Sequence, residues 1–107
     1  MTTFLYSYRM PAGNQPGRPG AAAAWGAFFE GIGPSLVDPG NPVFDSATLG
    51  NCETGGARLS GFSLVTADDL EAAVAMASQC PALDQGGGVE VGVITEIYRD
   101  KRLIAQD

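Results

Sequence analysis

The fold of this chain is decided by the stretch LSGFSLVTADDLEAAVAMASQCP, which runs from Leu59 to Pro81. Its first part belongs to a predicted β-strand over 57–67. Asp68, with Glu71 three residues later, has the pattern of a capping box that starts a helix. Pro81 cannot continue that helix. The apolar stripe that this helix is expected to bury consists of Leu70, Ala73, Val74 and Ala77. The stretch therefore predicts a strand followed directly by a helix.

Three further strands and one further helix are predicted around this unit. Aromatic and β-branched residues indicate strands over Thr2–Met10, Val43–Gly50 and Val89–Ile97. A helix is predicted over Ala21–Gly33, because apolar residues there follow the helical spacing i, i+3, i+4 and i+7. Those residues are Trp25, Phe28, Phe29 and Ile32.

The element order is β-α-β-β-α-β, the split βαβ or ferredoxin-like pattern. It predicts one α+β domain over residues 1–107, with two helices on one face of a four-stranded antiparallel sheet. Residues 98–107 are expected to be a tail or a short extra strand. Both sheet faces carry apolar residues, with Phe4 on one and Leu5 on the other. Because large exposed apolar faces usually mark interfaces, we expect the uncovered face to pack on a second copy, on a ligand, or on both.

Composition excludes several classes of function. The formal net charge is −6 and the pI about 4.3, so nucleic acid is not expected as a partner. The chain has no histidine, which removes the commonest general base and metal ligand. Cys52 and Cys80 form no CxxC pair, and we expect no metal, no cofactor and no disulfide. Neither a signal peptide nor a membrane-length apolar run is visible, so we expect a cytoplasmic protein without membrane contact.

The stretch ETGGARLSGFSLVTADDLEAAVAMASQCPA, followed by GGGVEV, resembles the YCII-related family, in particular the branch named for its DGPF tetrapeptide. The resemblance covers nearly the whole chain, from FLYSYRM to GGGVEVGVI. It implies a dimeric α+β barrel, in which two sheets face each other and enclose a cleft. Most members have no assigned biochemical role, and enzyme activity is suggested only by kinship to other dimeric α+β barrels.

The chain departs from this family where the DGPF motif would stand. It has TLGNC, Thr48 to Cys52, so the motif's aspartate has no counterpart. Relatives with a His–Asp pair offer no carry-over either, since histidine is absent. Of the polar signature, only Glu53 and Thr54 correspond. The resemblance therefore predicts fold and assembly, and it leaves open whether the protein is an enzyme.

Four residues are candidates for ligand binding: Tyr6, Tyr8, Glu53 and Arg58. The tyrosines lie on the first strand, and the two charged residues flank the entry to the third, so we expect them near the middle of the sheet. They would supply hydroxyls, a carboxylate acceptor and a five-donor guanidinium. A small acidic or hydroxylated ligand in the cleft between paired sheets would suit this set.

Other interpretations of these residues stay open. The tyrosines could pack in a dimer interface, and Glu53 and Arg58 could form a weak surface ion pair. The protein would then be a structural or protein-interaction module without chemistry. A lyase-like or isomerase-like enzyme is the remaining alternative, through kinship alone.

Overall fold

Residues 1–13, 19–53 and 55–105 are described by a computed structural model, and they form an α+β fold. A four-stranded antiparallel sheet is accompanied by two α-helices and a small separate hairpin. The sheet strands are β1 (Thr2–Pro11), β2 (Leu36–Asp38), β3 (Ala57–Ala67) and β4 (Gly88–Val93); the helices are α1 (Ala21–Ile32) and α2 (Leu70–Ala77); the hairpin strands are β5 (Tyr98–Arg99) and β6 (Arg102–Leu103). Short 3₁₀ turns at Gly33–Ser35 and Pro81–Gln85 follow the two helices.

Strand β1 is the centre of the sheet, whose strand order is β2-β3-β1-β4. It pairs with β3 along its whole length, where Tyr6 lies opposite Ser63, and with β4, where Tyr6 lies opposite Val91. Partners across an antiparallel ladder share a face, so these three side chains point the same way. The two long neighbours therefore hold the residues of β1 in the middle of the domain.

Burial alternates along β1 and shows which face the helices cover. Four residues at alternate positions are buried: Phe4, Tyr6, Tyr8 and Met10. The residues between them are partly exposed. Helix α1 packs on the buried side through Trp25, whose ring centroid lies 4.7 Å from that of Tyr8. Helix α2 reaches the same side at Ala73. Both helices therefore lie on one face, as predicted, and the face carrying Leu5 is uncovered.

The hydroxyl of Tyr6 joins the sheet to α2. Its side chain is completely buried, and the hydroxyl donates a hydrogen bond to the Ala73 carbonyl oxygen at 2.5 Å. Burial raises the pKa of Tyr6 to about 12, with a smaller contribution from nearby Cys80. Burial likewise raises the pKa of the Cys80 thiol. Because a buried hydroxyl without a partner is costly, this bond determines how closely α2 approaches β1.

The ends of both helices follow local rules, with one correction. Helix α1 ends at Gly33, which has a φ of 65° and donates its N–H to the Phe29 carbonyl oxygen. The residue that caps α2 is Asp69 and not Asp68, because the Asp69 carboxylate accepts the Ala72 N–H at 2.8 Å.

The predicted buried stripe of α2 is half right. Ala73 and Ala77 are buried, whereas Leu70 and Val74 are 47% and 49% exposed. The small alanine side chains let the helix backbone approach the sheet until the Ala73 carbonyl meets Tyr6. This orientation turns the two larger side chains towards solvent.

Two predicted strands have different bounds. The second strand is Leu36–Asp38 and not Val43–Gly50, which has no strand. Pro42 and Val43 each contact the edge of β3, but Asp45 then takes a φ of 52°, which ends any extended ladder. The last sheet strand ends at Val93 and not at 97, and the chain continues into the hairpin.

We expect the folded protein to lose stability as the pH rises from 10 to 12. Below pH 10 the Tyr6 hydroxyl is neutral in both states, and between pH 10 and its folded pKa of about 12 mainly the unfolded chain ionises, which favours unfolding. Urea unfolding at pH 8 and pH 11.5 measures the loss. Tyr6→Phe should cost about 1 kcal/mol at pH 8 and reduce the pH-dependent loss. Tyr98→Phe, at an exposed position, is the matched control. If Tyr6→Phe loses as much stability as the parent between pH 8 and pH 11.5, the loss does not come from the Tyr6 hydroxyl.

Candidate functional site

A groove of about 1210 Å³ lies between α1 and the chain segment 39–46. Its lining includes residues of β1 and β3, among them Tyr8 and Gly61, together with Ala21–Ala23, Trp25 and Phe29 of α1. The groove therefore lies beside α1 and borders the end of β1, where Met10 and Pro11 line it. We call it the α1 groove.

Aromatic rings form one side of the α1 groove. Trp25, the single tryptophan of the chain, lies between Tyr8 and Phe29. Its ring meets Tyr8 edge to face, with centroids 4.7 Å apart, and meets Phe29 at a tilt of 41°, with centroids 5.9 Å apart. Trp25 and Phe29 are only partly buried, so both contribute to the core and also present aromatic surface to the groove.

The opposite side of the groove is held in place by a chain of hydrogen bonds from the core. Tyr8 donates its hydroxyl to the Ser63 Oγ at 2.9 Å, and Ser63 donates to the Pro39 carbonyl oxygen at 2.7 Å. Burial raises the pKa of Tyr8 far above its ordinary value, and the Ser63 hydrogen bond offsets this only in part. Two side chains buried under the helices therefore position the start of segment 39–46.

Two glycines let segment 39–46 lie directly against β3. A Cβ at Gly40 would stand 1.8 Å from the Phe62 carbonyl oxygen, and Gly40 has a φ of 68°. A Cβ added to Gly61 would stand 3.2 Å from the Asn41 carbonyl oxygen. Beyond this contact, the Val43 N–H donates to the Ser60 carbonyl oxygen at 2.9 Å. The side of the groove therefore depends on close backbone approach, which side chains at these positions would prevent.

Arg58 provides a positive charge at the rim of the α1 groove. Its Nη1 donates to the Ser46 carbonyl oxygen over a long 3.4 Å, which leaves most of its five donors to solvent. Among residues 1–13, 19–53 and 55–105, no carboxylate forms an ion pair with it. Asp45 lines the same groove and adds one acceptor. The rim can therefore contact an acidic group on a ligand whose remaining part packs on the rings.

A second, smaller groove of about 550 Å³ lies near the end of β1 and the starts of β3 and β4. Arg9, Glu53, Glu90 and the glycines Gly86–Gly88 line it. Arg9 and Glu90 form an ion pair across it at 3.3 Å, with side chains that are 32% and 70% exposed. Exposed pairs of this kind contribute little, and the groove lacks aromatic surface. We therefore regard the α1 groove as the candidate site.

The structure separates the four residues that the sequence placed together. Tyr8 and Arg58 line the α1 groove, and Glu53 lines the second groove. Tyr6 has no exposed surface and contacts α2. The sequence predicts both tyrosines in a cleft between paired sheets, whereas β1 turns its even-numbered side chains under the helices, where the rings of Tyr6 and Tyr8 are buried. Whether any of the four binds a ligand stays a prediction.

Other lining residues were missed because they had already been given a different role. Trp25 and Phe29 fit a buried helical stripe, and that spacing cannot show that one end of the stripe borders a groove. The cluster of turn-forming residues at 39–42 identifies a turn, and it contains no sign that the turn packs on β3. A closer signal was Gly61, a glycine within a strand pattern, which often marks a close approach of other backbone.

Within the described part of the chain, no group of three or more histidine, cysteine or acidic residues could hold a metal ion. In the same ranges, no helix has the length and apolar character needed to cross a membrane.

Comparison with protein-family models, with curated proteins and with solved structures finds no match for this chain. The resemblance to the YCII-related family therefore stays a prediction from the sequence motifs.

Gly40→Ala is expected to lower the free energy of unfolding by about 2 kcal/mol or more, because the new Cβ would meet the Phe62 carbonyl and the residue would keep a positive φ. Gly31→Ala is the matched control: nothing lies within 4 Å of its Cβ, and alanine in a helix should stabilise by about 0.5–1 kcal/mol. Urea unfolding of the two variants measures both. Equal stability of Gly40→Ala and the parent would show that segment 39–46 does not lie against β3.

Proposed function

We propose that the protein binds a small molecule in the α1 groove, and that the ligand has a flat apolar part and an acidic group. The observation that carries the proposal is the pairing of an aromatic side, formed with Trp25 and Phe29, with an Arg58 that has no carboxylate partner among the described residues. Ligand sites are typically apolar clefts with a few polar groups that fix orientation. A guanidinium binds carboxylates and similar acidic groups through two parallel donors.

The long-range charge of the protein does not exclude an acidic ligand. The net charge of −6 is that of the whole chain, and salt screens charges beyond about 8 Å at physiological ionic strength. A ligand in direct contact with Arg58 is inside this distance. The rings next to it supply the apolar contact that the acidic group alone would lack.

The groove favours binding over catalysis. Tyr8 is the tyrosine that lines it, and its raised pKa keeps the hydroxyl protonated near neutral pH. That hydroxyl already donates to Ser63, so it is not available to a substrate. A general base needs a pKa near the operating pH and reach to the reacting atom. If the groove binds no ligand, the alternative is a structural or protein-interaction module. The alternative of a lyase-like or isomerase-like enzyme rests only on the resemblance to dimeric α+β barrels.

The fluorescence of Trp25 can test this site, because the chain has no other tryptophan. Titration with 1-anilinonaphthalene-8-sulfonate, an aromatic anion, should quench Trp25 emission with saturation. Arg58→Gln should raise the dissociation constant about five-fold, since one charged hydrogen-bonding partner is lost. Arg99→Gln, which removes a cation outside the groove, should leave it unchanged.

A second pair of variants tests the location. Ala22 and Ala27 are both exposed on α1, and Ala22 lines the groove whereas Ala27 does not. Ala22→Phe should therefore weaken probe binding, and Ala27→Phe should not. Equal affinity of Arg58→Gln, Ala22→Phe and the parent for the probe would show that the α1 groove is not the site.

We further propose that the chain is a YCII-related protein with a ferredoxin-like fold, and that two copies pair through their uncovered faces as a dimeric α+β barrel. The strand order 2-3-1-4 and the placement of both helices on one face support the fold. Apolar side chains on the uncovered face support the pairing: Leu5 lies opposite Leu64, and Phe62 lies next to them. The free thiols of Cys52 and Cys80 suit a reducing cytoplasm.

Light scattering is expected to give twice the chain mass of 11.0 kDa at micromolar concentration. Phe62→Asp should shift the protein towards the monomer, because it places a charge in the apolar interface. Phe62 is 37% exposed, so the folded monomer should tolerate the change. Leu83→Asp, at a 46% exposed position outside this face, is the control. A monomeric parent protein would contradict the pairing and would leave the ligand proposal untouched.

A further inference from the structure

The hairpin formed by β5 and β6 stands apart from the rest of the domain. In the described ranges, β5 and β6 contact one another more than they contact any other helix or strand. Tyr98 lies opposite Leu103, and Arg99 lies opposite Arg102. Since opposite residues share a face, the hairpin has one apolar face and one cationic face. Tyr98 is 62% exposed and Leu103 is 52% exposed.

Three features indicate that this hairpin has little stability of its own. Each strand is two residues long, and even a full-length isolated hairpin is marginal in water. The turn residues Asp100 and Lys101 have φ values of 52° and 67°, which residues other than glycine adopt at a cost. Arg99 and Arg102 face each other as like charges, and Glu96 pairs with Arg99 alone. Among the described residues, only Arg99 of the three cations of the hairpin is in an ion pair. A partner with apolar surface and carboxylates would suit both the apolar face and these cations.

The charge distribution indicates that this partner is another copy of the chain. The hairpin Tyr98–Leu103 has a net charge of +2, from the three cations Arg99, Lys101 and Arg102 and the one carboxylate Asp100. Because the whole chain has a net charge of −6, the remaining residues together have a net charge of −8. A cationic hairpin and an acidic body are complementary between copies. On the uncovered face, Phe62 and Leu59 are exposed apolar residues. Glu90 is 70% exposed there, and its Oε1 pairs with Arg9 at 3.3 Å. This face therefore offers apolar contacts and one further carboxylate oxygen, Glu90 Oε2, to the hairpin.

We propose that the β5–β6 hairpin is an arm that binds a second copy of the chain at the rim of its uncovered sheet face. Tyr98 and Leu103 pack on apolar side chains of that face, and the cations of the arm meet its carboxylates. The inference rests on the pairing proposed above and is independent of ligand binding. It adds a second contact region to the pairing, since each copy gives an arm and receives one.

Cross-linking can test the arm directly, because Lys101 is the only lysine of the chain. A carbodiimide couples an amine to a carboxylate without a spacer, so cross-links from this side chain report carboxylates in contact with the arm. Full-length chains with and without ¹⁵N label are mixed and cross-linked. Peptides that join a labelled and an unlabelled chain through Lys101 are expected; their absence, with cross-links only within one chain or none, overturns the proposal. Lys101→Arg should remove these cross-links and keep the dimer.

Sedimentation equilibrium measures how much the arm contributes. Tyr98→Ser with Leu103→Ser should raise the dimer dissociation constant at least about ten-fold, because the apolar contact is lost. Leu49→Ser with Leu83→Ser removes two exposed leucines elsewhere and should change it less than two-fold. A dimer whose affinity is unchanged by the arm substitutions overturns the arm and leaves the sheet pairing in place. A parent protein that is monomeric overturns both.

Discussion

The burial of two tyrosine hydroxyls beneath the helices is the constraint on which the rest of the domain depends. Tyr6 and Tyr8 lie at alternate positions of the central strand, so their rings enter the core together, and each ring carries a polar group that must find a partner. Tyr6 finds the Ala73 carbonyl of α2, and Tyr8 finds Ser63 of the neighbouring strand. One strand thus positions a helix and, through Ser63, an irregular segment.

The α1 groove follows from the second of these bonds. Ser63 uses its own hydrogen to hold the Pro39 carbonyl, which brings segment 39–46 across the edge of β3. Gly40 and Gly61 permit this approach because neither has a side chain. The space between segment 39–46 and α1 is the groove, and the partly exposed ring of Trp25 lines it. The candidate site is therefore formed by core hydrogen bonds together with an aromatic cluster that is not fully enclosed.

The face of the sheet that the helices do not cover carries apolar side chains. Two helices cover one face, and apolar residues such as Leu5 and Phe62 remain on the other. The hairpin of β5 and β6 adds further exposed apolar surface at Tyr98 and Leu103. A chain of 107 residues buries a modest core, and association with a second copy would extend it.

The sequence by itself determined the order and kind of the main elements. The strand 57–67 has the predicted bounds, α1 is capped at Gly33, and Phe4 and Leu5 lie on opposite faces of β1 as predicted, because each depends on local spacing and on local backbone preference. An α+β fold with a four-stranded antiparallel sheet and two helices could therefore be predicted from the chain alone. The second strand could not, since three residues at Leu36–Asp38 have too little periodicity to compete with the longer pattern at 43–50.

Only the tertiary structure decided where the candidate site lies. Alternation shows that Tyr6 and Tyr8 share a face, but which face the helices cover depends on long-range packing. Arg58 and Glu53 are five positions apart, yet they line different grooves, and Gly55 and Gly56 form a turn just before β3 begins. Local sequence patterns are equally compatible with either face of β1 and with either groove. The choice between them is made by contacts such as Tyr8 with Ser63, which are 55 residues apart in the chain.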